Sequence, residues 1–181
     1  MYNQIERELK ILVSKEIYEN ILNSYIFDKT IYQTNTYYDT KDHLIKNNNG
    51  ALRIRTIQDK NIFTLKLKKD AITHYEYEKE IKSNTISDID DPEIKEWLMK
   101  IPLNEEVFPI ASFSTIRNIH YFEHGELCVD MTQYDNHIDY EIEYEYTSEH
   151  NGIDTFNEIL KPFGLKYEKN CPSKIARAFN H

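Results

Sequence analysis

Apolar and polar residues alternate over long stretches of this chain, and that spacing of two predicts strands. Gln4–Val13 reads as the first strand, Thr34–Asp39 as the second and Ala51–Ile57 as the third. Ile62–Lys69, His74–Lys82, Ala111–Phe122, Glu126–Thr132 and Ile138–Tyr146 follow as the fourth to eighth. Turn residues separate several of them: Asn47-Asn48-Asn49-Gly50, Asp59-Lys60-Asn61, His124-Gly125 and Asp135-Asn136. Such short connections imply antiparallel pairing. The spacing changes toward helical at a few places. Ser14 caps a helix from Lys15 to about Tyr25, with Ile17, Ile21 and Leu22 on one face. Asp42–Lys46 reads as a helical turn, and Asp91-Pro92 opens a helix bearing Ile94, Trp97 and Leu98. A further helix runs from about Ile153 to Lys161 and stops at Pro162 and Gly164; the last runs from Pro172 to about Phe179. The fold class expected is mainly β (α+β), eight antiparallel strands able to close into a barrel, with a few peripheral helices.

The polar alternates are charged, and they are sorted by strand. Glu6, Glu8 and Lys10 share one face of the first strand; Arg53 with Arg55, and Lys66 with Lys68, make the third and fourth basic. Glu76, Glu78 and Glu80 line the fifth strand and Glu141, Glu143 and Glu145 the eighth. A solvated face needs only mixed polarity, whereas like charges at alternate positions repel unless a counter-ion is present. Leu52, Ile54, Leu65, Leu67 and Ile142 form the opposite set and are expected to pack under the helices. The charged face would then line the inside of the closed sheet, acidic on one side and basic on the other.

Composition narrows the class. A chain of 181 residues is long enough for one domain with a sizeable core, and 4 Gly and 5 Pro are too few for low complexity. The formal net charge of -9 argues against general nucleic-acid binding, which needs a basic surface. Two cysteines, Cys128 and Cys171, are too few for a disulfide framework and are expected as free thiols. Neither a signal-peptide h-region nor an apolar run of ~18 residues is present, so the expected location is the cytoplasm, away from membranes. No glycine-rich phosphate loop, His-Glu-x-x-His, Cys-x-x-Cys or Ser/His/Asp pattern stands out. What remains is a set of hard carboxylate oxygens suited to Mg²⁺ or Mn²⁺, beside Arg and Lys suited to phosphate. Together they suit a polyphosphate that chelates a metal.

The ordered motifs resemble the CYTH domain, or triphosphate tunnel metalloenzymes, in the form of the small bacterial YjbK-like members. They are Glu6-x-Glu8-x-Lys10, Tyr37-Tyr38-Asp39-Thr40, Leu52-Arg53-Ile54-Arg55, Thr64-Leu65-Lys66 and Glu76-x-Glu78. Arg117, Leu127-Cys128-Val129-Asp130, Tyr140-Glu141-Ile142-Glu143 and Ser173-Lys174 with Arg177 complete the series over nearly the whole chain. The resemblance implies a single domain over 1–181 and a closed tunnel barrel in which triphosphate is gripped beside one or two Mg²⁺ or Mn²⁺ ions. By position it implies phosphate contacts from Lys10, Arg53, Arg55, Lys66, Arg117 and Lys174, with Lys10, Arg55 and Lys66 catalytic. It implies metal ligands at Glu6, Glu8, Glu78, Asp130, Glu141 and Glu143. Lys68 and Arg177 join the substrate-binding set; Glu80 and Glu145 fit the same charged face.

Two positions depart from the family pattern: Thr115 stands where many members have Lys, and His74 where many have Arg. A His-Phe pair before the first motif, found in the family's bacterial adenylate cyclases, is missing. The expected activity is metal-dependent hydrolysis of inorganic triphosphate, a nucleoside triphosphate or thiamine triphosphate by a monomer or homodimer. The rivals are an adenylate cyclase acting on ATP and a module that binds polyphosphate or nucleotide without turnover.

Overall fold

The computed structural model describes residues 3–180. Its strands are β1 (Asn3–Val13), β2 (Lys29–Asp39), β3 (Gly50–Ile57), β4 (Lys60–Lys68), β5 (Thr73–Ile81), β6 (Phe108–Tyr121), β7 (Gly125–Gln133) and β8 (Ile138–Tyr146). They close into a barrel in the order β1-β5-β4-β3-β2-β6-β7-β8. This is the mainly β fold expected. The helices are α1 (Lys15–Ser24), α2 (Leu44–Asn47), α3 (Pro92–Leu98), α4 (Gly152–Leu160) and α5 (Lys174–Phe179). None of the described helices is long and apolar enough to cross a membrane.

The chain divides into two compact units. Among the described residues, one holds residues 3–5 with Gln33–Phe113; the other holds Glu6–Tyr32 with residues 114–180. In the first, β3, β4 and β5 pair antiparallel and present Leu52, Ile54, Phe63, Leu65 and Tyr77 to Ile45 of α2 and to Ile94 and Trp97 of α3. Trp97 stacks on Phe63, their ring centroids 6.0 Å apart, and contacts Tyr77 at 5.7 Å. Burying each such side chain stabilises by about 1.5–3 kcal/mol. The Asp91 side chain starts α3 by accepting from the amides of Glu93 and Ile94, with Pro92 at the first position, as the sequence indicates.

In the second unit β6, β7 and β8 form a meander, and β8 also pairs with β1. Tyr18 of α1 lies against Tyr140, and Phe156 of α4 stacks on Tyr144, so two helices cover the apolar face of β8. Ser14 caps α1 and Ser173 caps α5.

Several boundaries differ from the sequence expectation. β2 starts at Lys29, not Thr34, because its first half is a polar, exposed stretch with no alternation to read; Thr30 is held there by Asn118 at 2.7 Å. β6 likewise begins at Phe108 rather than Ala111. The turn after β3 is Gln58-Asp59, with Gln58 at φ 53°, so Lys60 and Asn61 belong to β4. The short helix is Leu44–Asn47 because its first amides bond to Thr40 and Asp39 side chains, which fixes the start two residues late. The last helix begins at Lys174, since Ser173 rather than Cys171 is its cap.

Candidate functional site

Each unit carries one charged cluster. In the second unit, strand register builds the cluster directly. Arg117 lies opposite Asp130, Asp130 opposite Glu141, and Lys10 opposite Glu143. Alternation then sets Glu6, Glu8 and Lys10 on one face of β1 and Glu141 and Glu143 on one face of β8. Asp130, Glu141 and Glu143 are buried, at 0%, 1% and 5% exposure. Such groups persist as charges only when paired and hydrogen-bonded. The Arg117 guanidinium meets Asp130 through two bonds, 2.9 and 2.7 Å, and reaches Glu143 Oε2 at 2.5 Å. Lys174 touches all three carboxylates: Asp130 at 2.8 Å, Glu143 at 2.7 Å, and Glu141. Arg177 bonds Asp139 at 2.7 Å, Glu141 Oε2 at 2.6 Å and the Pro172 carbonyl at 2.6 Å. Lys10 Nζ pairs with Glu8 at 2.6 Å.

The electrostatics follow from this crowding. Burial pushes Glu141 up to about 7, helped by the neighbouring Glu143 and opposed by Lys174 and Arg177. Burial would raise Glu143 too, but Arg117 and Lys174 overcome it and hold that carboxyl well below the usual range. Burial disfavours the charged forms of Arg117 and Lys174, yet the surrounding carboxylates raise both well above their ordinary values. Burial lifts Cys171 to about 12 and raises Cys128 well above the ordinary thiol value, so both stand as inert free thiols rather than nucleophiles.

One oxygen from each of Asp130, Glu141 and Glu143 lies within 4.8 Å of the others. Three buried carboxylates at this spacing fit a hard divalent cation such as Mg²⁺ or Mn²⁺.

The first unit holds the basic cluster. Tyr37 lies opposite Arg53, Asn35 opposite Arg55, Lys66 opposite Glu76 and Thr64 opposite Glu78. Arg55 Nε donates to Asn35 Oδ1 at 2.9 Å, and Lys66 pairs with Glu76 at 3.2 Å. Arg53 is almost fully buried, and among the described residues its Nε has no hydrogen-bond partner. A buried guanidinium N–H left without an acceptor costs about 1–3 kcal/mol, so this atom suits an anionic oxygen. Burial would raise the phenol of Tyr37, but Arg53, Arg55 and Lys66 bring it below its ordinary value.

The structure therefore gathers Lys10, Glu8, Arg117, Asp130, Glu141, Glu143, Lys174 and Arg177 in one unit and Arg53, Arg55 and Lys66 in the other. Glu6 is half-buried two residues from Glu8. Glu78 is exposed and accepts from Thr64 at 3.1 Å, and Lys68 is exposed. Of the departures, Thr115 is buried against Thr132 at 2.9 Å, and His74 lies opposite Lys68. Sequence reasoning placed Tyr37 and Glu76 in motifs without giving them a site role, and did not pick out Asp139 or Asn170. Asn170 accepts from the Lys10 amide at 2.9 Å and donates to the Glu8 carbonyl at 3.0 Å, fixing β1 between the two charged side chains. Register between β2 and β3, which spacing does not disclose, puts Tyr37 opposite Arg53; nothing in sequence marks a loop asparagine.

The family model of the CYTH domain matches residues 4–179. YjbK of Bacillus subtilis, provisionally named a triphosphatase, is 28% identical over 184 residues, covering 99% of this chain and 96% of YjbK. A Bacillus halodurans structure, provisionally described as an adenylate cyclase, is 33% identical with a TM-score of 0.86, covering 99% of this chain and 100% of that one. A Hippeastrum structure, provisionally named an adenylyl cyclase and described as having a dominant triphosphatase activity, shares 24% identity and the same fold, with a TM-score of 0.75 over 97% and 95% of the two chains.

Proposed function

Since the chain belongs to the CYTH domain family, we propose that it is a metal-dependent triphosphatase and that its two units serve as one CYTH-like domain. The observation that carries this reading is the buried Asp130–Glu141–Glu143 trio laced with Arg117 and Lys174, a site that joins hard oxygen donors to phosphate-binding cations. The name of the Bacillus subtilis relative supports the same chemistry.

Asp130, Glu141 and Glu143, with Glu6, Glu8 and Glu78, would hold Mg²⁺ or Mn²⁺. The bound metal would supply Lewis-acid charge neutralisation to phosphate oxygens. Arg53, Arg117, Lys68, Lys174 and Arg177 would face the polyphosphate oxygens, Arg53 through its unpaired Nε, Lys as a point charge, and Arg117 and Arg177 as fixed charges held by their carboxylates. Lys10, Arg55 and Lys66 absorb the negative charge that develops as the terminal phosphoryl group departs. Water attacks the terminal phosphorus, so no nucleophilic side chain is needed. The substrate class is inorganic triphosphate or an organic triphosphate such as a nucleotide or thiamine triphosphate.

A phosphate-release screen over triphosphate, ATP, GTP and thiamine triphosphate, with Mg²⁺ and Mn²⁺ in parallel, tests the reading. Release from at least one substrate is expected, and none from any would overturn it. The 33% identical Bacillus halodurans relative favours a second reading, adenylate cyclase, which cyclic AMP from ATP in the same assay would select. Thr115, whose hydroxyl is engaged with Thr132 where a cation would grip phosphate, favours a third: metal-dependent binding without product.

A further inference from the structure

The acidic trio already contains a cation of its own. Lys174 Nζ contacts Asp130 Oδ2, Glu141 Oε1 and Glu143 Oε1. The ammonium donates to Glu141 and Glu143 and pairs by charge with Asp130. The two arginines are placed differently. Arg117 forks Asp130 and takes the second oxygen of Glu143, and Arg177 takes the second oxygen of Glu141. Among the described residues only Lys174 joins all three carboxylates, which is the position a divalent cation would hold.

Charge balance gives this placement a consequence. Lys10 and Glu8 offset each other, while Asp130, Glu141, Glu143 and Asp139 face Arg117, Lys174 and Arg177, so this cluster retains at most a single net negative charge, less where Glu141 holds a proton. A divalent cation entering alone would leave a buried site net positive, with an ammonium and a guanidinium against it. A polyphosphate arriving with the metal reverses that balance and offers the displaced ammonium a new partner. Lys174 suits the exchange: a point charge on a flexible four-carbon stem can swing, whereas the Arg117 fork is fixed by its two-point bond. Its backbone stays anchored, because Ser173 caps α5 and Arg177 ties that helix to Asp139 and Glu141.

Resting on the metal-dependent reading above, we propose that Lys174 is a built-in counter-ion that holds the metal position in the ligand-free protein and transfers to the triphosphate, so that metal is taken up together with the anion and poorly without it.

Mn²⁺ binding by calorimetry and electron paramagnetic resonance, without turnover, tests this. Wild-type protein is expected to bind Mn²⁺ alone weakly. Lys174→Met should bind Mn²⁺ alone roughly tenfold more tightly or better, within the usual range of coupling between two ligands. Lys174→Arg, which keeps the charge, should stay near wild type. Tight Mn²⁺ binding by wild type, or no gain in Lys174→Met of unchanged circular dichroism, would overturn the proposal. Wild-type protein with ¹⁵N-labelled lysine gives a readout that needs no variant. The Lys174 ammonium resonance should hold its position with Mg²⁺ alone and move when Mg²⁺ and imidotriphosphate are both present. A resonance unmoved by the pair, or moved equally by Mg²⁺ alone, counts against it. Phosphate release with either negative result would remove the Lys174 exchange and leave the triphosphatase reading standing. No Mn²⁺ binding by any protein even with imidotriphosphate would remove the metal site, and with it the exchange.

Discussion

Arg117 shows what a buried charge demands of its neighbours. Its side chain is 13% exposed and its partners Asp130 and Glu143 are 0% and 7% exposed. Removing one member of such a group strands the rest as uncompensated charges, which costs about 3–5 kcal/mol, far more than an exposed ion pair contributes. Arg117→Met is therefore expected to lower unfolding stability in urea by that amount, and adding Asp130→Asn should restore part of the loss. A single and a double variant with equal stability would show that Asp130 is not the stranded group. Tyr37 raises a separate question of sign. Its phenol lies below the ordinary value of 10.0 because, against burial, three cations favour the phenolate. A depressed acid group adds stability above its unfolded value, and that contribution disappears as pH falls through its folded value. The titration therefore adds stability on the alkaline side and takes it away as pH falls. Tyr37→Phe should cost about 1 kcal/mol at pH 7 through the lost bond to Arg53, while a spectrophotometric titration should lose its earliest-ionising phenol. Retention of that early phase in Tyr37→Phe would assign it to another tyrosine. Residues of this kind were only half legible in the sequence. Spacing of two identified the face shared by Glu76, Glu78 and Glu80, but a face is not a depth. The structure half-buries Glu76 against Lys66 and leaves Glu78 and Glu80 exposed, a difference that spacing along the strand does not encode.

At the scale of elements, Asp39 organises the passage from β2 to β3. Its buried carboxylate accepts from the amides of Thr40 at 2.8 Å, Ile45 at 2.9 Å and Lys46 at 3.1 Å, so one side chain satisfies three donors and starts α2. Asp39→Ala leaves those amides without acceptors, at roughly 1–3 kcal/mol for each one that stays buried. Asp39→Asn keeps the oxygen that serves Thr40 and Ile45 and should lose less. Chemical denaturation of the two variants checks the order, and equal losses would mean that water replaces the carboxylate. The start of β7 is as restrictive. A Cβ at Gly125 would run into the Tyr144 ring and come within 2.8 Å of the Glu145 carbonyl oxygen, so Gly125→Ala should cost about 1–3 kcal/mol by overpacking. The sequence disclosed Gly125 as a turn residue but not the tyrosine above it, since that contact spans two strands. It disclosed the caps Ser14 and Asp91 because those bonds close within three residues. It missed the true start of α2 because the capping carboxylate sits six residues before the amide of Ile45.

For the molecule as a whole, antiparallel pairing was legible where connections are short, from β3 to β5 and from β6 to β8, but not the order that sets β1 beside β5 and β2 beside β6. The pairing of β1 with β8 was not visible as spacing, since it joins the two ends of the chain. Net charge misleads at this scale. A chain of -9 would bind a triphosphate only through local clusters, with its overall field working against the bare anion. Both facts bear on stability under ligand. A ligand that binds only the folded state stabilises by about 2.7 kcal/mol at a hundred times its dissociation constant. For a chain of 181 residues that shifts the unfolding midpoint by roughly 5–10 °C, taking about 2–4 °C per kcal/mol. If cation and anion enter together, Mg²⁺ alone and imidotriphosphate alone should each raise the midpoint by much less than the pair, and the excess should shrink in Lys174→Met, where the metal no longer waits for the anion. Differential scanning calorimetry of both proteins under the three conditions measures that excess directly. Strictly additive shifts in wild type would mean that the charge clusters bind their ligands independently.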